Sequence, residues 1–118
     1  MIKKYFLLLL AAILLTGVHG QNRQVDLSQN IPLQDILKKA KNVLLDFGSP
    51  RCSPCLFIKN KIFTIDSVAD FINERFVSVD YTEGPEKKRL SKIYEVYTEP
   101  VLLICDANGK VMHRMEGK

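Results

Sequence analysis

The sequence predicts a small α/β domain, a central mixed sheet flanked by helices and closed by a β-hairpin. Three observations predict it. Apolar runs at Val43–Phe47, 76–80 and Val101–Cys105 are separated by stretches whose apolar residues fall at helical spacing. That alternation implies parallel strand pairs joined by right-handed crossovers. The turn Asp106-Ala107-Asn108-Gly109 then leads into residues 110–115 as an antiparallel edge. A length of 118 residues allows one domain, and 47% hydrophobic against 25% charged residues is an ordinary globular balance.

Lys3 and Lys4 precede an apolar run, residues 5–15, and then Thr16-Gly17-Val18-His19-Gly20. This is the layout of a secretory signal, with cleavage expected after Gly20. The apolar run is too short for an ordinary membrane span, and an uncleaved anchor is the alternative. No cysteine follows it, which argues against a bacterial lipid anchor. Losing residues 1–20 removes Lys3 and Lys4 and no acid, so the formal charge falls from +4 to +2. That is too weak to argue for nucleic acid.

Residues 21–30 read as a polar lead-in and 31–118 as the domain. Asn30 or Ser28 can cap a helix carrying Leu33, Ile36, Leu37 and Ala40 at helical spacing, with Pro32 near its start, Lys38, Lys39 and Lys41 at its end and Asn42 closing it. Val43–Phe47 reads as a strand buried on both faces, with Asp46 as its anomaly. Beyond the cysteine motif, Leu56, Lys59, Asn60, Ile62 and Phe63 continue a helix. Thr64 or Asp66 then caps a second segment with Val68, Ala69, Phe71 and Ile72 inward. After the strand at 76–80, Gly84-Pro85 breaks a turn, and Pro85 opens a helix with Leu90, Ile93 and Tyr94 on one side and Glu86-Lys87-Lys88-Arg89 as a solvated face. Thr98-Glu99-Pro100 ends it before Val101–Cys105, the strongest strand.

Arg51-Cys52-Ser53-Pro54-Cys55 sits where the first strand hands over to a helix. Two cysteines three positions apart suit a redox pair there. Cys52 would meet the unpaired N–H groups and the positive dipole end, which favour a thiolate. Cys55, one turn on, is within reach of a disulfide, and Pro54 fits the first helical turn. Export places the cysteines where disulfides persist, and the odd number leaves one thiol over. A purely structural disulfide is the bland alternative, disfavoured because so short a loop stabilises little. A metal site of Cys52, Cys55, Cys105 and His113 is the other, disfavoured because a mid-strand cysteine and a hairpin histidine have no reason to converge on the helix start. Cys105 reads as a small core hydrophobe and His113 as a surface residue of the edge strand.

With Asp46 six residues before Cys52 and Pro100 just before a long apolar strand, the pattern resembles the thioredoxin superfamily over most of residues 33–117. Its likeness is greatest to the exported thioredoxin-like branch related to the soluble domains of transmembrane electron carriers. The resemblance implies a thioredoxin-like fold in which Cys52 is the nucleophile, Cys55 the resolving thiol, Asp46 a buried acid assisting proton transfer, and Pro100 a cis-proline beside the pair. A buried carboxyl has its pKa raised and can pass a proton near neutral pH. A cis-proline removes a backbone donor and turns the preceding peptide toward a substrate strand. The plainer readings are an Asp46 satisfied by water or backbone, and a trans Pro100 that merely breaks an element.

Arg51, Ser53, Pro54 and Glu99 border the pair as substrate-binding residues in the same resemblance. Arg51 stands where the family often has Trp, and its guanidinium would favour the thiolate. Glu99 stands before the cis-proline, where relatives often have an uncharged residue. Facing the thiolate, it would oppose Arg51 and repel acidic substrates. The lysine that often accompanies the buried acid has no obvious counterpart. The sequence stops at Gly117-Lys118, where relatives continue into a C-terminal helix, so that helix is expected to be missing: the sequence is truncated, or one sheet face is exposed or covered by a partner.

The implied function is an exported thiol–disulfide oxidoreductase of the bacterial periplasm or extracytoplasmic space, reducing substrate disulfides more than it oxidises thiols and serving cell redox homeostasis. The alternative is a thioredoxin-like peptide-binding or chaperone module without redox turnover. Protein or peptide disulfides are the expected substrates and a transmembrane electron donor the expected partner. No nucleic acid, bound cofactor or metal is implied.

Overall fold

The computed structural model describes residues 23–117, and the expected signal segment at 1–20 lies outside them. The chain runs β1 (Leu27–Gln29), α1 (Leu33–Leu37), β2 (Val43–Phe47), α2 (Ser53–Phe57), a π-helical turn (Ile58–Ile62), α3 (Asp66–Arg75), β3 (Val77–Tyr81), α4 (Gly84–Ile93), β4 (Val101–Cys105) and β5 (Val111–Glu116). The sheet order is β1-β3-β2-β4-β5. The mixed sheet, its flanking helices and the closing hairpin are those the sequence predicts.

β2 is the middle strand, buried throughout. Strand alternation sends Val43, Leu45 and Phe47 to one side, where they join Leu33 and Ile36 of α1 and Leu90 of α4. Leu44 faces the other side and joins Phe63, Ala69 and Val25. Asp46 takes the remaining position on that second side, opposite Asp80 of β3. Each fully buried Leu or Phe contributes roughly 1.5–3 kcal/mol, so the first cluster supplies most of the apolar stabilisation.

Several expectations are corrected. The polar lead-in contains a strand: β1 pairs parallel with β3, Ser28 lies inside it and caps no helix. Asn30, with a φ of 52°, caps none either; its Oδ1 accepts from the backbone N–H of Thr82 at 3.0 Å and so ties β1 to the end of β3. α1 ends at Leu37, and Ala40 has left helical geometry with a φ of 53°. Thr64 caps nothing ahead of it, its hydroxyl donating back to the Asn60 carbonyl at 2.9 Å. Asp66 begins α3 without capping it. Phe71 is 52% exposed and Ile93 58%, because each helix buries a narrower stripe than its apolar residues allow, centred on Ala69 and Leu90.

β4 is antiparallel to β2 although a helix precedes it, so the antiparallel part of the sheet begins one strand earlier than expected. β2 lies between β3 and β4, and Val101 at the start of β4 pairs with Phe47 at the end of β2. The segment after α4 thus returns the chain to the sheet edge where β2 and β3 end. A parallel crossover would have carried it to the opposite edge.

Beside α3 the surface forms an apolar trough of about 440 Å³ lined by Leu44, Phe63, Phe71, Ile72, Leu102 and Met115 among others. Among the described residues no helix is long and apolar enough to cross a membrane.

The burial of α4 gives a test. Leu90→Ala should cost about 2–5 kcal/mol in urea unfolding, whereas Ile93→Ala should change stability by less than about 0.5 kcal/mol. Comparable losses at both positions would contradict this placement of the helix.

Candidate redox site

Gly48 leaves β2 with its N–H bonded to the Tyr81 carbonyl at 3.1 Å, and the next residues loop to the start of α2. Cys52 is the residue before the helix, in extended conformation with φ −86° and ψ 103°, and its Sγ accepts the N–H of Cys55 at 3.2 Å. Helices prefer a side-chain acceptor at this position because their first N–H groups lack partners, and here sulfur is the acceptor. Pro54 falls in the first turn, where its missing N–H costs nothing. Cys52 and Cys55 are joined in a disulfide with Cα atoms 5.2 Å apart. Cys52 is partly accessible, whereas Cys55 is 1% exposed. That asymmetry suits an attacking and a resolving sulfur.

Glycine at position 48 allows close approach: a Cβ there would lie 3.0 Å from Cys55 Sγ and 3.1 Å from its Cβ, so the disulfide would have to shift by a few tenths of an ångström. Just before β4, the Glu99–Pro100 peptide is cis. Gly117 lies against the proline, its N–H bonded to the Pro100 carbonyl at 2.9 Å, and a Cβ at 117 would come within 2.6 Å of Pro100 Cδ. The Glu99 carboxylate reaches the pair, its oxygen and the two sulfurs all lying within 4.8 Å of one another. Ser53 and Pro54 are exposed on the same rim. Arg51 is exposed and makes no ion pair among the described residues, so the structure does not set it against Glu99.

The acid reading of Asp46 meets a more elaborate surrounding than the sequence suggests. Asp46 is 1% exposed and lies beside Asp80 of β3, its neighbour in register, which is fully buried. Lys59, from the π-helical turn, forms an ion pair with Asp80, and Gln29 Nε2 donates to the same carboxylate at 3.2 Å. Asp46 Oδ2 and Asp80 Oδ1 are buried without a protein hydrogen-bond partner. Burial above all, then the neighbouring Asp80 charge, pushes the Asp46 carboxyl up to about 7, with Lys59 pulling the other way. A group so placed can exchange a proton near neutral pH.

Asp80, Lys59, Gly48 and Lys87 were not singled out by sequence reasoning. Asp80 had a readable signal, an acid at the apolar end of a strand just like Asp46. Lys59 had a weaker one, its position one helical turn after Cys55. It supplies the cation for which no counterpart was expected, from a helix rather than a strand. The charge run Glu86-Lys87-Lys88-Arg89 is likewise not simply a solvated face. Glu86 accepts the N–H of Leu33 at 3.0 Å, and Lys87 Nζ bonds to Glu99 Oε1 at 2.7 Å.

The postulated four-ligand metal site does not assemble: Cys105 is buried in the cluster with α1 and α4, and His113 is exposed on β5. The grouping of ligand-type side chains found among the described residues is Cys52, Cys55 and Glu99, and its sulfurs are committed to the disulfide.

A family model described as a thioredoxin-like domain matches residues 30–118, and the chain belongs to that family. Among solved structures it is similar to a candidate disulphide-isomerase from Bacteroides thetaiotaomicron, at 28% identity and a TM-score of 0.71 over 84% of this chain and 85% of the other. It also shares its fold with a DsbH oxidoreductase, at 21% identity and a TM-score of 0.66 over 80% and 76% of the two chains. A third is thioredoxin f2 in complex with ferredoxin:thioredoxin reductase, at 19% identity and 0.59 over 82% and 86%. No curated protein matches the chain by sequence.

The raised Asp46 pKa carries a stability cost of known sign. An unfolded Asp titrates near 3.8, so between 3.8 and about 7 the folded state holds a proton the unfolded state has lost. Stability falls as pH rises through that window, and the penalty is complete above it. Asp46→Asn should therefore raise the melting temperature by about 5 °C or more at about pH 8, the scale of about 1 kcal/mol in a domain of this size, and by little at about pH 4. Calorimetry showing equal shifts at both pH values would contradict the assignment.

Proposed function

We propose that the chain is an exported thiol–disulfide oxidoreductase working mainly in the reducing direction. The observation that carries the reading is the Cys52–Cys55 disulfide at the start of α2, with one cysteine partly accessible and the other buried. Family membership and the similarity to a candidate disulphide-isomerase support it. Export rests on the signal layout of residues 1–20.

In the reducing direction the accessible Cys52 thiolate attacks one sulfur of a substrate disulfide. The substrate's other sulfur leaves and takes up a proton, and Cys52 is held in a mixed disulfide. The N–H of Cys55 is aimed at Cys52 Sγ, an interaction that favours the anionic form in the reduced enzyme. Cys55 then loses its proton, for which the buried Asp46, with its pKa raised to about 7, is the proposed acceptor, and attacks Cys52 Sγ. The enzyme disulfide closes, and the second substrate sulfur leaves as a thiol. Two electrons and two protons pass from the enzyme to the substrate. The product state is the disulfide in the structure. A fresh dithiol requires an outside reductant, and for an exported protein we propose a transmembrane electron donor. Ser53, Pro54 and the Glu99–Pro100 peptide are the surfaces a substrate chain would meet.

Cys55→Ser should accumulate a mixed disulfide through Cys52 when the reduced variant meets a disulfide-bonded protein, seen as a thiol-sensitive mass shift. Cys52→Ser should accumulate none and lose at least about a thousandfold in reductase rate, since no nucleophile remains. Reductase activity surviving in Cys52→Ser would contradict the mechanism and favour a peptide-binding module.

A further inference from the structure

A lysine ammonium has three protons to donate, and those of Lys87 have three acceptors. Nζ donates to the Gly48 carbonyl at 2.6 Å, to the Thr82 carbonyl at 3.3 Å and to Glu99 Oε1 at 2.7 Å. The acceptors lie at the ends of three strands: Gly48 directly follows β2, Thr82 directly follows β3, and Glu99 stands just before Pro100 and β4. One side chain from α4 thus ties together the sheet edge that carries the cysteine pair. Ser49 also helps to keep the Glu99 carboxylate below its ordinary pKa. The carboxylate so fixed lies within 4.8 Å of both sulfurs.

A carboxylate at that distance can act as a proton carrier or as a fixed charge. Burial works to raise the Glu99 pKa, but the Lys87 hydrogen bond and charge, with Ser49 acting in the same direction, prevail and hold it below the ordinary value. Glu99 is therefore ionised at neutral pH and ill-suited to carry protons. A fixed negative charge disfavours a thiolate beside it while leaving the neutral disulfide unaffected. Where thiolate is populated, its effect is to disfavour the reduced pair, the reverse of the stabilised reduced form that makes an oxidant strong. The other charged groups of the region are Arg51, exposed on the loop, and Asp46, Asp80 and Lys59 within and beneath the second core cluster. None of them is bonded to Glu99.

We propose that Lys87 is a positioning residue of the exchange reaction, clamping the Glu99 carboxylate against the Cys52–Cys55 sulfurs so that the pair is biased toward its disulfide and gives up electrons readily. This rests on the exchange function proposed above and gives that site its direction.

The test equilibrates the purified protein and its variants with glutathione at about pH 9, where thiolate is populated. The oxidised fraction is read by thiol trapping, and the pH dependence of Cys52 alkylation by iodoacetamide is measured alongside. Glu99→Gln should move the equilibrium about three- to tenfold toward the dithiol, tenfold being about 30 mV for this two-electron couple. It should also shift the alkylation midpoint to lower pH. Lys87→Met should change the equilibrium by at least about twofold with Glu99 present and by much less in the Glu99→Gln background, and Lys87→Arg should restore the parent value. Lys88→Met, an exposed charge on the same helix, should move neither readout. A Glu99→Gln protein that matches the parent, additive effects of the Glu99 and Lys87 changes, or an equal response to Lys88→Met would overturn the clamp while leaving exchange intact. A parent protein that does not equilibrate with glutathione at all contradicts the exchange function, and the clamp with it.

Discussion

β2 and β4 lie antiparallel with Phe47 opposite Val101, and the site depends on that pairing. Phe47 is the last residue of one strand and Val101 the first of the other, so the loop leaving β2 and the loop entering β4 share one sheet edge. The first loop carries the cysteine motif and the second carries Glu99 and cis-Pro100. A parallel β4 would begin at the far end of β2, a displacement of about 16 Å for a strand of this length. The hydrogen bonds of an ordinary ladder thereby assemble a reactive disulfide, a cis peptide and a carboxylate from segments nearly fifty residues apart in sequence.

Around that edge the fold tolerates features that do not serve its stability. The second core face carries Asp46, Asp80 and Lys59 where apolar side chains would pack more favourably, and two carboxylate oxygens there have no protein partner. The opposing face, with Phe47, Tyr81, Leu90 and Leu103 all fully buried, is uniformly apolar and offsets the cost. The division follows from strand alternation. Phe47 and Tyr81 stack with ring centroids 5.4 Å apart on one face, while their chain neighbours Asp46 and Asp80 lie side by side on the other. One ladder thus holds a packed core and a polar strip suited to moving a proton.

Much of this was legible in the sequence. Cys52, Cys55 and Pro54 form a local motif readable by itself, Asp46 and Pro100 were reached through the family resemblance, and the three long apolar strands are where their composition places them, each within a residue. What escaped notice depends on tertiary contacts. β1 is three residues, Leu-Ser-Gln, without an apolar pattern, and it exists because the open edge of β3 offers hydrogen bonds. Phe71 and Ile93 fit the helical period, but whether they are covered depends on what lies opposite. Lys59 and Lys87 are long, flexible cations in charged stretches, and sequence spacing cannot tell a solvated ammonium from one that reaches across to a strand end.

The measurement that bears most directly on the proposed reducing direction is the reduction potential of the Cys52–Cys55 pair in the parent protein, equilibrated against dithiothreitol or glutathione and read by thiol trapping. A value close to that of thioredoxin, about −270 mV, is expected. A value near about −120 mV, that of a strong oxidant, would contradict that direction.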